Sequence, residues 1–216
     1  MNHPATSILR VERLKCIRND IVLFNELDFR LHAGEILQVT GVNGSGKTSL
    51  LRILCGLILP EEGTVFWNDI DICEENSDFL QQINYVGHLN GIKNELTPLE
   101  NLGVAAVLKG SCDGLSKVEA IQRFGLSGLE DISVQKLSSG QRRRVALSRL
   151  LLSQASLWVL DEPFTSLDND TRKLVNRMIE THCSESGMVV MTSHEPVEFG
   201  SCNLIRLNLE RPVQQL

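Results

Sequence analysis

The sequence predicts an α/β fold built on a mainly parallel sheet with helices on both faces. Three runs are apolar along most of their length, as buried strands are, and they cover residues 35–40, 157–161 and 188–192. Helical patterns separate these runs, and such alternation is typical of parallel strands joined by helical crossovers. The first run leads directly into a glycine-rich loop and a helix start, which is where α/β sheets bind ligands.

The segments outside these runs complete the predicted organisation. Residues 8–29 predict a few short strands, and residues 64–67 predict another. Residues 171–183 have the apolar stripe of an amphipathic helix. Residues 98–154 are mostly helical in pattern, and we interpret them as part of an inserted helical subdomain.

Composition limits the class of protein. With 216 residues, the chain is long enough for one sizeable α/β domain. Its formal net charge of −6 argues against a general nucleic-acid binder. The six cysteines include no C-x-x-C pair, so neither a zinc site nor a disulfide framework is predicted. No apolar run reaches the roughly 18 residues that span a bilayer, so we expect any membrane role to require a separate membrane protein.

Residues 41–48 match the phosphate-loop pattern G-x-x-x-x-G-K-[ST] at every fixed position. In such a loop, backbone N–H groups surround phosphate oxygens, and the following helix adds positive potential at its N-terminus. We expect Lys47 to reach the β- and γ-phosphates and the Thr48 hydroxyl to ligate Mg²⁺. The predicted phosphate-loop residues are Gly41, Val42, Asn43, Gly44, Ser45, Gly46, Lys47, Thr48 and Ser49.

Two carboxylates follow the apolar strand at residues 157–160. Asp161 and Glu162 come directly after this strand, so both are expected at the carboxyl edge of the sheet. With a phosphate loop on a neighbouring strand, we expect Asp161 to hold Mg²⁺ through water. Glu162 is expected to polarise the attacking water as general base.

Residues 138–141 precede a long amphipathic helix that is predicted over residues 142–153. Serines and a glycine at this position are ordinary helix-capping residues. The same residues could also form an anion site, because free N–H groups, a hydroxyl and the helix dipole point in one direction. The local pattern leaves both interpretations open.

The order of these motifs resembles the ATPase subunit of an ABC (ATP-binding cassette) transporter over essentially the whole chain. The motifs are the phosphate loop, L-S-x-G-Q, a strand ending in Asp-Glu-Pro, Ser-Leu-Asp and a later histidine. The resemblance implies a P-loop NTPase fold with a RecA-like core sheet, a small N-terminal antiparallel β subdomain and an inserted α-helical subdomain. It divides the single domain, 1–216, into a core and β part (about 1–85 and 155–216) and a helical signature part (about 86–154).

The resemblance also implies a head-to-tail homodimer with two ATP molecules and Mg²⁺ in its interface. Four signature residues would contact the γ-phosphate of the ATP held by the other copy: Ser138, Ser139, Gly140 and Gln141. Asp168, in Ser-Leu-Asp, resembles the loop that couples the two sites. His194 resembles the switch histidine that senses the γ-phosphate.

Three positions depart from the family pattern. Ser139 stands where the signature commonly has glycine, although its backbone N–H is retained. His88 stands where the family usually has a glutamine at the Mg²⁺ site, which makes it a candidate metal-site residue. Arg18 stands where an aromatic residue usually stacks on adenine, and a guanidinium plane can also stack on a base. For His88 and Arg18, an ordinary surface role is the alternative interpretation.

Residues 85–102 indicate which group of ABC ATPases the chain resembles most. Gly-His at residues 87–88 and Gly-Ile-Lys-x-Glu-Leu-Thr at residues 91–97 are similar to the ATPases of cytochrome c maturation, a haem-exporter-type family. The resemblance implies an ATPase bound to integral permease subunits at the cytoplasmic face of a bacterial inner membrane. It would couple ATP hydrolysis to haem export or to release of a haem-loaded chaperone, and residues 88–101 would dock the membrane subunits.

Two alternatives are weighed beside this interpretation. The first is an ATPase of another small ABC exporter with an unknown substrate. Only the segment around His88 and the identity of the permease distinguish it from an ATPase of cytochrome c maturation. A soluble ABC protein acting on ribosomes or DNA would usually carry tandem cassettes, coiled-coil insertions or basic extensions. This chain has one cassette and a net negative charge, which disfavours that class.

Overall fold

The structure is a computed structural model that describes residues 7–74, 77–108, 115–193, 197–200, 202–209 and 213–214. The chain divides into two compact units. The first contains residues 1–85, 155–162 and 179–216, and the second contains residues 86–154 and 163–178.

An antiparallel sheet forms one part of the first unit. Its strands are β1 (Ile8–Arg18), β2 (Ile21–His32), β4 (Glu62–Trp67), β5 (Ile70–Asp71) and β10 (Val213–Gln214). The spatial order is β10-β2-β1-β4-β5. β1 and β2 form one long hairpin, whereas the sequence predicted several short strands there. The strands continue because register shifts in β1 absorb the irregular positions while Leu9, Val11 and Leu14 stay buried.

The second sheet is mainly parallel, as predicted. Its strands, in spatial order, are β6 (Ile83–Val86), β7 (Leu157–Leu160), β8 (Met188–Thr192), β3 (Glu35–Gly41) and β9 (Asn203–Leu209). The β7–β8, β8–β3 and β3–β9 pairs are parallel. Every residue of β7 and β8 is buried, which explains their continuous apolar runs.

One apolar core joins both sheets of the first unit to helix α1 (Lys47–Leu54). Leu50, Leu51 and Leu54 of this helix are fully buried, as are Leu37 and Val39 of β3. Burial of each such side chain contributes roughly 1.5–3 kcal/mol. The helix is therefore held against the strand from which its phosphate loop emerges. A short helix α2 (Ser77–Gln82) precedes β6.

The second unit is helical. Its helices are α3 (Pro98–Leu108), α4 (Lys117–Arg123) and α5 (Ser139–Ser148), with single 3-10 turns at Val134–Lys136 and Arg149–Leu152. Helix α6 (Asn169–Ser184) begins in this unit and ends in the first. No helix of the described ranges is long and apolar enough to cross a membrane.

The helix starts differ from the predicted ones for a local reason. Helix α5 begins at Ser139, three residues before the predicted start, because Ser138 caps it. Helix α6 begins at Asn169 rather than at residue 171, because the Asp168 carboxylate accepts a hydrogen bond from the Thr171 N–H. Both caps satisfy N–H groups that a helix leaves free in its first turn.

Candidate active site

The phosphate loop joins β3 to α1, and its glycines are sterically required. Gly44 and Gly46 have φ values of +82° and +99°, in the left-handed region that favours glycine. A Cβ on Gly46 would lie 3.0 Å from the Leu23 Cβ, and a Cβ on Gly41 would lie 2.6 Å from the Ser45 Oγ. The glycines therefore allow a turn that side chains would block.

Lys47 is almost buried at this loop. Its Nζ donates hydrogen bonds to the carbonyl oxygens of Gly41 and Val42 at 2.8 and 3.1 Å. The Ser45 hydroxyl is fully buried and has no hydrogen-bond partner within the described structure. Together, the ammonium group, the buried hydroxyl and the helix N-terminus fit a site for a phosphate group.

Asp161 directly follows β7 at the carboxyl edge of the sheet and is 2% exposed. Its Oδ2 accepts a hydrogen bond from Thr48 Oγ1 at 2.9 Å, and its Oδ1 accepts one from Thr192 Oγ1 at 2.7 Å. The structure thus brings together Thr48 and Asp161, two of the three residues that the sequence predicted at a metal site; the third is His88. Carboxylate and hydroxyl oxygens are hard ligands, so this donor set fits Mg²⁺.

The Asp161 carboxylate also affects Tyr85. The pKa of Tyr85 is raised, mainly by burial and secondly by the negative charge of Asp161. A hydrogen bond with Arg52 lowers it, but by less. Negative potential therefore extends to the Tyr85 hydroxyl.

Glu162 adopts an unusual backbone conformation, with φ at +49°. Its N–H donates a hydrogen bond to Thr192 Oγ1 at 2.8 Å, and its side chain is partly exposed. Sequence reasoning missed Thr192, which ends β8 next to β7. Its position at the carboxyl end of a buried strand was the signal that could have identified it.

An open cavity of about 290 Å³ lies over the phosphate loop and Glu162. Its lining residues are Arg18, Leu23, Asn43, Gly44, Gly46, Lys47, Thr48, Ser49 and Glu162. The hairpin of β1 and β2 thus brings exposed Arg18 to the phosphate loop. Leu23 was not predicted, and it adds an apolar wall that suits the sugar or base of a nucleotide.

In the second unit, the signature residues form the start of α5. Ser138 Oγ accepts a hydrogen bond from the Gln141 N–H at 3.2 Å, and Gln141 Oε1 accepts one from the Ser138 N–H at 2.8 Å. This capping box satisfies two of the four N–H groups that a helix start leaves free. The other two belong to Ser139 and Gly140, and the serine in place of glycine does not remove its N–H.

Gly140 faces the loop that precedes α6. A Cβ on Gly140 would lie 2.9 Å from the Ser166 carbonyl oxygen, so the loop packs where a side chain would stand. Asp168 caps α6 and forms an ion pair with Arg144 of α5. The hydrogen bonds from Thr171 and, less strongly, the Arg144 charge hold the pKa of Asp168 below its usual value.

His88 is exposed in a segment that two arginines hold by its backbone. Arg143 Nη1 donates to the Gly87 carbonyl at 2.8 Å, and Arg149 donates to the carbonyls of Asn90 and Gly91 at 3.0 and 2.9 Å. Arg143 is buried, and burial lowers the pKa of Arg149. The segment is therefore fixed while His88 itself faces outward. His194 lies outside the described residues.

Comparison with known proteins extends these observations. The ABC transporter family model matches residues 24–165. The cytochrome c biogenesis ATP-binding export protein CcmA of Nitrosospira multiformis is 46% identical over 197 residues, which cover 91% of this chain and 96% of that protein. The proteins of the same name from Methylococcus capsulatus and Escherichia coli O157:H7 are 45% and 43% identical and cover 93% and 94% of this chain, and 98% and 96% of those proteins.

Solved structures give the same fold. A dimeric bacterial ABC transporter cassette superposes with a TM-score of 0.80 at 23% identity, covering 95% of this chain and 98% of that one. A cassette in a post-hydrolysis state bound to ADP and phosphate has a TM-score of 0.79, also at 23% identity, and covers 95% of this chain and 98% of its own. The chain belongs to the ABC transporter ATP-binding family and, within it, to the family of the cytochrome c biogenesis ATP-binding export proteins.

Proposed function

We propose that this chain is the ATP-hydrolysing component of a membrane complex for cytochrome c biogenesis. It couples ATP hydrolysis to haem export or to release of a haem-loaded chaperone. The observation that carries this proposal is the 46% identity, over 91% of the chain, to a protein named for cytochrome c biogenesis. The hydrolytic part has separate support, because Thr48 and Asp161 lie in hydrogen-bond contact beside the phosphate loop.

Nucleotide binding begins at the phosphate loop. The backbone N–H groups of residues 41–48 surround the phosphates, and Lys47 exchanges its bonds to the Gly41 and Val42 carbonyls for phosphate oxygens. Thr48 and, through water, Asp161 would hold Mg²⁺, and the ion would neutralise charge on the phosphates. Arg18 stacks on the adenine, and Leu23 packs beside it.

Glu162 acts as the general base. Its carboxylate takes a proton from a water molecule while the water oxygen forms a bond to the γ-phosphorus. The bond between that phosphorus and the bridging oxygen breaks, and the electron pair leaves with ADP. The products are ADP and inorganic phosphate.

A second copy of the chain completes each site. The N–H groups of Ser139 and Gly140, the Ser138 hydroxyl and the Gln141 side chain contact the γ-phosphate bound by the other copy. His194 senses the same phosphate, and Asp168 links the two sites. ATP therefore holds two copies together, and hydrolysis releases them.

The partners of the dimer are integral permease subunits at the cytoplasmic face of a bacterial inner membrane. Residues 88–101 dock these subunits, and the exposed His88 takes the place of the usual glutamine near Mg²⁺. Support comes from the arginine-held segment, in which Leu89 is 82% exposed beside His88. A net charge of −6 gives no reason to propose a nucleic-acid partner.

The experiment that tests this proposal measures covalent haem in the c-type cytochromes of the source cell. Wild type is compared with Lys47→Ala, which removes the phosphate-binding ammonium, and with Lys173→Ala as a control. The Lys173 side chain is 74% exposed on α6. We expect Lys47→Ala to abolish haem attachment while apocytochromes are still made and exported, and Lys173→Ala to leave attachment normal.

Normal haem attachment in the Lys47→Ala strain would overturn the cytochrome c role. The nucleotide chemistry would stand, and the chain would then serve another small ABC exporter. Its co-purifying permease would identify that system.

A further inference from the structure

We propose that Thr192 is a positioning residue for hydrolysis, and that its single hydroxyl sets both the Asp161 carboxylate and the Glu162 backbone. This inference rests on the proposed ATP hydrolysis and names a residue that the motifs do not include. Thr192 touches neither nucleotide nor water in this assignment. It acts through the two acidic residues that do.

The contacts define the role. Thr192 Oγ1 donates its proton to Asp161 Oδ1 at 2.7 Å and accepts a hydrogen bond from the Glu162 N–H at 2.8 Å. Thr192 is fully buried, and it follows Met191, which pairs with Leu160 in the parallel β7–β8 ladder. The hydroxyl is therefore held in place by the register of two central strands.

Asp161 is fixed at both oxygens by this arrangement. Its Oδ2 accepts from Thr48 at 2.9 Å while Oδ1 accepts from Thr192. Loss of the Thr192 bond would remove one of these two constraints on rotation about the Asp161 Cβ–Cγ bond. The bond to Thr192 thus keeps Oδ2 directed toward Thr48 and the predicted Mg²⁺ position.

The same hydroxyl supports the backbone at Glu162. A φ of +49° is disfavoured for a residue with a side chain, so neighbouring contacts must hold it. The hydrogen bond from the Glu162 N–H to Thr192 is such a contact. It sets the direction in which the Glu162 side chain leaves the strand end, where it lines the cavity.

Two substitutions separate the hydroxyl from the shape of the side chain. Thr192→Val keeps the branched shape but removes both hydrogen bonds, whereas Thr192→Ser keeps the hydroxyl. Partners that orient metal ligands typically affect metal affinity or activity about 10–100-fold. We therefore expect Thr192→Val to lower kcat/KM for Mg-bound ATP by about 10–100-fold, and Thr192→Ser to restore most of it.

A second readout does not depend on turnover. Binding of a fluorescent ATP analogue to the full-length chain is measured with Mg²⁺ and with EDTA. The affinity gained from Mg²⁺ should shrink about 10-fold or more in Thr192→Val and recover in Thr192→Ser. Thermal unfolding of each variant, with Thr64→Val of β4 as a threonine control, reports any loss of folding. If Thr192→Val does not fold, Thr192→Ala removes the hydroxyl without adding volume.

A Thr192→Val variant with wild-type kcat/KM and a wild-type gain in nucleotide affinity from Mg²⁺ would overturn the proposal. So would a Thr192→Ser variant as defective as Thr192→Val, because the hydroxyl would then not be responsible. If instead the wild-type chain itself hydrolyses no ATP, the proposed function fails before any variant is compared. The two failures are therefore distinguishable.

Discussion

Replacing Ser138 with alanine tests whether the signature start both caps a helix and binds phosphate. The chain offers a matched control, because Ser116 caps α4 in a second capping box with Glu119. In both boxes the serine Oγ accepts from a backbone N–H at 3.2 Å, and the glutamine or glutamate oxygen accepts from the cap N–H at 2.8 Å. Ser116→Ala and Ser138→Ala therefore remove the same local structure.

The magnitudes follow from that match. Loss of a serine cap costs about 1 kcal/mol of unfolding free energy, so each variant should lower Tm by about 2–4 °C in a chain of this size. Only Ser138→Ala also removes a hydroxyl that would donate to the γ-phosphate. A loss of that donor should lower ATP turnover about 10-fold or more, which corresponds to about 1.4 kcal/mol on the barrier.

The assay is steady-state ATP turnover of the full-length chain together with thermal unfolding of both variants. We expect similar Tm shifts and a turnover defect in Ser138→Ala alone. Wild-type turnover in Ser138→Ala would refute the phosphate contact and leave the serine as a cap. Equal turnover losses in the two variants would assign the defect to helix stability.

Four further predictions concern single positions. Glu162→Gln should keep ATP binding but lose turnover and trap a closed dimer, and wild-type hydrolysis in this variant would contradict the general-base role. Asp168→Asn should flatten the pH dependence of unfolding free energy in urea titrations below about pH 4. Hydrogen bonds from Thr171 and, after them, the Arg144 charge lower the pKa of Asp168 in the folded chain. The ionised carboxylate therefore stabilises the folded chain fully above the ordinary aspartate pKa of about 3.9, and this stabilisation is lost as the pH falls through the lowered pKa. Gly140→Ala should destabilise the chain because its Cβ would lie 2.9 Å from the Ser166 carbonyl oxygen. An unchanged Tm for Gly140→Ala in thermal unfolding would exclude this close packing. Ser139→Gly should leave ATP turnover within about 3-fold of wild type, because the backbone N–H remains.

Much of the site could be predicted because its parts are local in sequence. The phosphate loop is one continuous segment between β3 and α1, and Asp161 and Glu162 end a strand that is buried throughout. Each of these motifs is one short continuous segment of the sequence. The parallel order of the central strands follows from the same buried runs.

The parts that were missed depend on contacts between distant residues. Thr192 is a strand threonine like any other until the β7–β8 register sets it against Asp161, 31 residues away. Leu23 reaches the cavity only because β1 and β2 form one hairpin. The strand β9 was missed because its residues, apart from Leu209, are exposed or half-buried, so no continuous apolar run indicates it.

The capping and phosphate-binding interpretations of residues 138–141 are not alternatives. A hydroxyl has one donor and two acceptor lone pairs, and the capping box uses only an acceptor position of Ser138. Its proton stays available for an anion, as do the N–H groups of Ser139 and Gly140. Because the box forms within one chain, these donors are ordered before a nucleotide arrives, and less ordering entropy opposes the closing of two copies around ATP. The cap is therefore what makes the proposed phosphate site effective.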